Sequence, residues 1–145
     1  MDAFERVVRA AVIQSLCDTA RAPSADDIAT SFGQSSGAVT AALHALADEH
    51  RLALIPGTDS VWMAHPFSAV PTNFVVTIGQ RQWYANCVWD GLSILALLGD
   101  GILDTKSPAT GEQIQLKVSD RKVTGDALVH FLVPARRFWT DIGFT

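Results

Sequence analysis

The sequence predicts an α+β fold, with a winged-helix-like helical region over residues 1–65 and a mixed β-sheet/helix core over 66–145. Three observations predict it. Apolar residues recur at three- and four-residue intervals through roughly the first fifty positions. From residue 52 onward, short β-prone runs alternate with Gly-, Pro- and Asp-bearing turns. One apolar helical stretch, 87–98, interrupts those strands.

Residues 4–20 read as an amphipathic helix with Phe4, Val7, Val8, Ala11, Val12 and Leu16 on one face. Ala22-Pro23 breaks the pattern. Ser24 is an N-cap with Asp27 three positions on, a variant of the capping box. The short helix that follows carries Ile28, Ala29 and Phe32 and ends near Gly33. Ser35 or Ser36 caps a third helix, whose stripe is Val39, Ala42, Leu43, Leu46 and Ala47. Residues 52–55 and 61–64 then flank Pro56-Gly57-Thr58-Asp59, a turn sequence, and read as a hairpin.

His65-Pro66 to Pro71 reads as an extended linker, because proline restricts itself and the residue before it. Strands are predicted at 74–78 and 81–85 around Gly79-Gln80, and at 101–104, 113–118 and 127–132. The helix 87–98 closes at Gly99. Pro134 precedes a last short helix, 135–142.

Hydrophobic residues make up 48% of the 145 and charged residues 18%, a balance that supports a packed core rather than disorder. The longest apolar run, Ile94 to Leu98, is far too short to span a bilayer. The acidic N-terminus has no signal-peptide pattern, so a cytoplasmic location is the expectation. The net charge is −4. Residues 1–65 hold four Arg/Lys against eight Asp/Glu, and the remainder holds seven of each. Residues 36–50 offer Thr40, His44, Asp48, Glu49 and His50 in place of the cations that phosphate and base edges require. Nucleic acid is therefore not an expected partner, and the helical region is expected to pack on the second half.

Two cysteines are present, Cys17 and Cys87, with no Cys-x-x-Cys and four scattered His, so neither a disulfide nor a zinc cage is expected. Cys17 is expected in the core beside Leu16. Cys87 falls at the start of a helix, where free amides and the dipole favour a thiolate. Asp90 lies three residues on, toward the same face, which continues through Ile94 and Leu97. A thiol and a carboxyl would then look together into an apolar interior. Burial raises the carboxyl pKa and the helix terminus lowers it, and the spacing leaves that balance open. On its own, Cys-x-x-Asp also describes a core cysteine followed by a first-turn acid. Trp83 and Trp89 read as core. His130 reads as a strand residue, and Arg121-Lys122 and Arg136-Arg137 as solvated pairs.

Met63-Ala64-His65-Pro66-Phe67-Ser68, then Gln82-Trp83-Tyr84-Ala85-Asn86-Cys87-Val88-Trp89-Asp90 and the aliphatic run to Gly99, resemble the alkylmercury lyase family. Ser107-Pro108-Ala109-Thr110-Gly111-Glu112 and Phe138-Trp139-Thr140-Asp141-Ile142 extend the likeness over about residues 25–145. The resemblance implies a winged-helix-like region before a lyase core. It implies cleavage of carbon–mercury bonds by two thiolates and an acid, with Cys87 as nucleophile and mercury ligand and Asp90 as proton donor. Sulfur suits a soft metal, and a positioned acid completes protonolysis.

One element of that pattern is missing: no cysteine follows Cys87, and Ser107 stands where a further one is often found. Three readings follow. The sequence is a shortened piece of a fuller enzyme; or it works with one thiol plus external thiols; or the fold serves another role, such as a non-catalytic winged-helix regulator or binding module. The leading expectation is an organomercurial lyase-like protein. It would need no cofactor, would hold Hg²⁺ as product or ligand, and would take organomercurials and small thiols as partners.

Overall fold

The computed structural model describes residues 1–143. Three helices come first: α1 (Ala3–Thr19), α2 (Ala25–Phe32) and α3 (Ser36–Asp48). Asp2 and Ser24 cap α1 and α2 in reciprocal capping boxes with Glu5 and Asp27, and Ser35 caps α3. Strands β1 (Ala53–Leu54), β2 (Val61–Ala64), β3 (Phe67–Ser68), β4 (Val75–Ile78) and β5 (Arg81–Ala85) follow. Then come α4 (Val88–Leu98), β6 (Gly101–Lys106), β7 (Gln113–Ser119), β8 (Lys122–Thr124) and a 3-10 turn, Ala135–Thr140.

The eight strands form one antiparallel sheet, in the order β1-β2-β3-β5-β4-β6-β7-β8. Its joint is β3, inside the segment read as a linker. Phe67 and Ser68 pair with Ala64 and Met63 on one side and with Ala85 and Tyr84 on the other. This two-residue strand welds the β1–β2 hairpin to the rest of the sheet. His65-Pro66, just before it, is a cis peptide.

One hydrophobic cluster runs through both halves of the chain. Val8, Val12, Leu16, Val39, Leu43 and Leu46 of the helices meet Phe67, Val76, Trp83 and Leu103 of the sheet. Each such fully buried side chain contributes about 1.5–3 kcal/mol of transfer free energy. The Trp83 indole donates to the carbonyls of Leu16 and Cys17, at 3.0 and 3.1 Å, where α1 meets β5. The helical region thus packs on the second half, and Cys17 packs partly buried against the cluster.

Several expectations change. Residues 127–132 form no strand, and Leu128 is fully exposed. The free edge of β7 is taken by β8 through a tight turn, with Asp120 and Arg121 both at positive φ, as a two-residue hairpin turn requires. The sequence signals such a turn with Asn-Gly, and here it is Asp-Arg. His130 accordingly lies outside any ladder. β6 runs two residues longer than expected, paired throughout with β7. Phe32 is exposed, at the C-terminal end of a short helix. The last helix is a 3-10 turn. Phe144 and Thr145, the end of the expected core, lie outside the described residues.

Candidate active site

Cys87 and Asp90 sit at the joint between β5 and α4. Cys87 is the N-cap, with extended backbone at φ −154° and ψ −178°, and its carbonyl accepts from the Gly91 amide at 2.9 Å. Asp90 is in the first helical turn. The α4 face below them continues through Gly91, Ile94 and Leu95, all buried, with Leu98 partly buried. Leu97, expected on that face, is exposed. At 100° per residue it swings off the stripe that Leu98 continues.

The Asp90 carboxylate is held from two sides. The Asn86 Nδ2 donates to Asp90 Oδ2 at 2.9 Å and also reaches the Phe67 carbonyl at 3.4 Å. His65 Nδ1 lies 3.1 Å from the same Oδ2. His65 follows β2, and the pairing of Phe67 with Ala85 brings it beside the residues that follow β5. The His65 ring meets the edge of Trp139, with centroids 6.3 Å apart and planes at 79°. Neither His65 nor Asn86 was singled out by the sequence. Asn86 carried a signal, since it stands four residues before Asp90 at a helix start. His65 carried none, because a sheet register brings it in.

These groups open onto a cavity of about 630 Å³, the size of a small-molecule site. One wall carries His65, Asn86, Cys87 and Asp90; Met63, Trp89, Phe131, Phe138 and Ile142 line apolar parts. Trp89, read as core, is exposed on this cavity, while Trp83 is the buried one.

Burial pushes the Cys87 thiol above its ordinary value of 9.0. The nearby Asp90 and Trp89 amides pull it down, while Asp90's charge and its side-chain hydrogen bond push it up. Neither amide makes a cap hydrogen bond to the sulfur. Desolvation thus outweighs the helix terminus, and the balance runs against the thiolate that the helix start alone favours. His65 is raised above 6.5, first by its bond to Asp90 and then by Asp90's charge, against burial and Arg9.

Among the described residues, no group of three or more His, Cys, Asp and Glu could hold a metal ion, and no helix is long and apolar enough to cross a membrane. α3 carries no Lys or Arg.

The sequence matches no curated relative. A solved structure described as the mercury-bound form of MerB2 superposes with a TM-score of 0.64 at 20% identity. The match covers 83% of this chain and 57% of that one, so the chain spans a little over half the length of that protein. At this identity the likeness establishes a shared α+β fold. The profile of the alkylmercury lyase (MerB) family matches residues 67–144, more than half of the sequence and all of the segment that carries Cys87 and Asp90. On that match, the chain belongs to the alkylmercury lyase family.

Proposed function

We propose that the protein cleaves carbon–mercury bonds by protonolysis at Cys87 and Asp90, with an external thiol completing the mercury coordination. The observation that carries this reading is the Cys87 thiol and the Asp90 carboxyl side by side on one wall of a largely apolar cavity.

The substrate is an organomercurial already carried by a small thiol, R–Hg–SR′. Cys87 Sγ bonds to mercury and its proton passes to the Asp90 carboxylate. Asp90 then gives that proton to the carbon. The electron pair of the C–Hg bond becomes the new C–H bond, and Hg²⁺ is left between Cys87 and R′S⁻. The sum is R–Hg–SR′ plus Cys87 thiol giving RH and a Cys87–S–Hg–SR′ adduct. A second external thiol releases the metal and returns a proton to Cys87. Soft sulfur on both sides suits the metal, and the positioned acid serves the carbon. No cofactor takes part. Dependence on free thiols fits a reducing compartment such as the cytoplasm.

The regulator reading has no comparable support, since α3 offers no cation to phosphate. The test is release of benzene from phenylmercury under excess thiol, compared with Cys87→Ser and Asp90→Asn. Release above the thiol-only control that disappears in both variants establishes the lyase. Binding of Hg²⁺ through Cys87 without release reduces the protein to a mercury-binding relative.

A further inference from the structure

Asp90 receives two donors, and both go to one oxygen. His65 Nδ1 and Asn86 Nδ2 meet Oδ2, at 3.1 and 2.9 Å, and Oδ1 takes neither. We propose that His65, braced by Asn86, is a positioning residue that pins Oδ2, so that Oδ1 alone carries the proton between the Cys87 thiol and the mercury-bound carbon. The inference rests on the lyase reading above.

A carboxyl at a helix start can turn about two side-chain bonds, and its oxygens are equivalent. Unheld, either oxygen can face the thiol, and the group can swing away to water. Asn86 restrains it along the helix axis. The Asn86 amide has one workable orientation: Nδ2 bridges Asp90 and the Phe67 carbonyl, while Oδ1 is buried with no partner among the described residues. Turned over, that oxygen would face both a carboxylate and a carbonyl. His65 braces the carboxyl from a different strand, and Trp139 limits the tilt of its ring. Three elements, the β2–β3 bend, the β5–α4 joint and the 3-10 turn, thus converge on one carboxylate.

The pin needs only a hydrogen on Nδ1. The neutral Nδ1–H tautomer and the imidazolium both supply it; the donor role is assigned from the contact with an acceptor-only carboxylate. Neither His65 nor Asn86 gives up a proton in the cycle. The thiol proton reaches Oδ1 as the S–Hg bond forms, and leaves Oδ1 as the C–H bond forms. Both bonds to Oδ2 persist throughout. A reacting group displaced by about 1 Å can lose on the order of a hundredfold in rate, so the restraint has a measurable consequence.

His65 is 42% exposed at its side chain, so its replacement leaves the core intact. The experiment is a single turnover of the full chain with phenylmercury and excess thiol, following both the Cys87 adduct by mass and benzene release. His65→Ala is expected to slow adduct formation and benzene release alike, by about tenfold or more, because both proton transfers pass through Oδ1. His65→Asn, which sets an amide N–H near the position of Nδ1, is expected to restore most of the loss. In wild-type protein, the His65 ring ¹⁵N signals are expected to show a protonated Nδ1 that shifts in Asp90→Asn. Undiminished release in His65→Ala, no rescue by Asn, or slowed release with adduct formation at its wild-type rate would each overturn the inference while leaving the lyase reading standing. An unchanged ¹⁵N spectrum in Asp90→Asn would overturn the pin by itself. Absence of release from wild type would instead remove the lyase reading, and this role with it.

Discussion

The indole of Trp139 lies flat on the imidazole of His50, with centroids 4.3 Å apart and planes 7° from parallel. His50 follows α3, and Trp139 belongs to the 3-10 turn whose neighbours line the cavity. The stack ties the helical region to the segment that closes over Cys87 and Asp90. An aromatic pair of this kind contributes about 0.5–1.5 kcal/mol beyond its buried area. His50→Ala is therefore expected to lower unfolding stability by no more than about that amount. In the same variant the KM for an organomercurial should rise with little change in kcat. Urea titration and steady-state kinetics check this; a large fall in kcat with unchanged KM would contradict it.

The His65–Asp90 contact has a definite pH signature. Because Asp90 raises His65 above its ordinary 6.5, the stability it contributes is full below that value. It is lost as pH rises through the higher, folded value. The gap in urea midpoint between wild type and Asp90→Asn should be wider at about pH 6 than at about pH 8.5, where carboxylates stay ionised at both. The half-exposed pair should also weaken in high salt. A gap that widens with rising pH would show the sign to be wrong.

Cys87 should behave as a sluggish thiol. Burial raises it above 9.0, so its alkylation by iodoacetamide at neutral pH should be slower than that of a free small thiol. The rate should climb about tenfold per pH unit until the thiol ionises. Asp90→Asn, which removes the charge, should speed the reaction at neutral pH. Cys17 is also raised by burial and by Asp18, so the measurement belongs in a Cys17→Ser background, followed by mass. Rapid, pH-independent alkylation of Cys87 would mean that the helix terminus prevails after all.

Gly91 is the contact point between the site helix and the sheet. A Cβ placed there would lie 2.7 Å from both terminal methyls of Leu103, itself fully buried in β6. Gly91→Ala gains helix propensity but must displace Leu103, and overpacking of this kind costs about 1–3 kcal/mol. A fall in stability of that order is expected in urea, with activity lost through the tilt given to α4. Paired with Leu103→Ala, the loss should be less than additive, because the clash is removed.

The helices, their caps and most strands were legible in the sequence because each is a local matter. The stripe Val8, Val12, Leu16 needs only its own spacing to declare a helix. Asp2 was missed as a cap, but Ser24 was found, and of the two serines offered for α3 it is Ser35 that binds the amide three residues on. The strand expected at 127–132 failed for a non-local reason. The run is apolar apart from His130, but a strand needs a partner edge, and a turn of two unpromising residues had already given that edge to β8. β3 was invisible for the converse reason: two residues carry no periodicity, and pairing on both sides makes them a strand.

By itself the sequence placed Cys87 and Asp90 three residues apart at one helix start, on a face that Ile94 continues, because spacing along one segment is enough for that, and the motifs around them carried the resemblance to the family. Only the tertiary structure decided the rest of the site. Burial, which no neighbour in sequence reports, pushes the Cys87 thiol up against the pull of the helix start. Sheet register, which depends on which strands meet, carried His65 to the oxygen that Asn86 already held. A helix can be read from one segment; a cavity wall of four polar groups from two segments exists only once the chain has closed on itself.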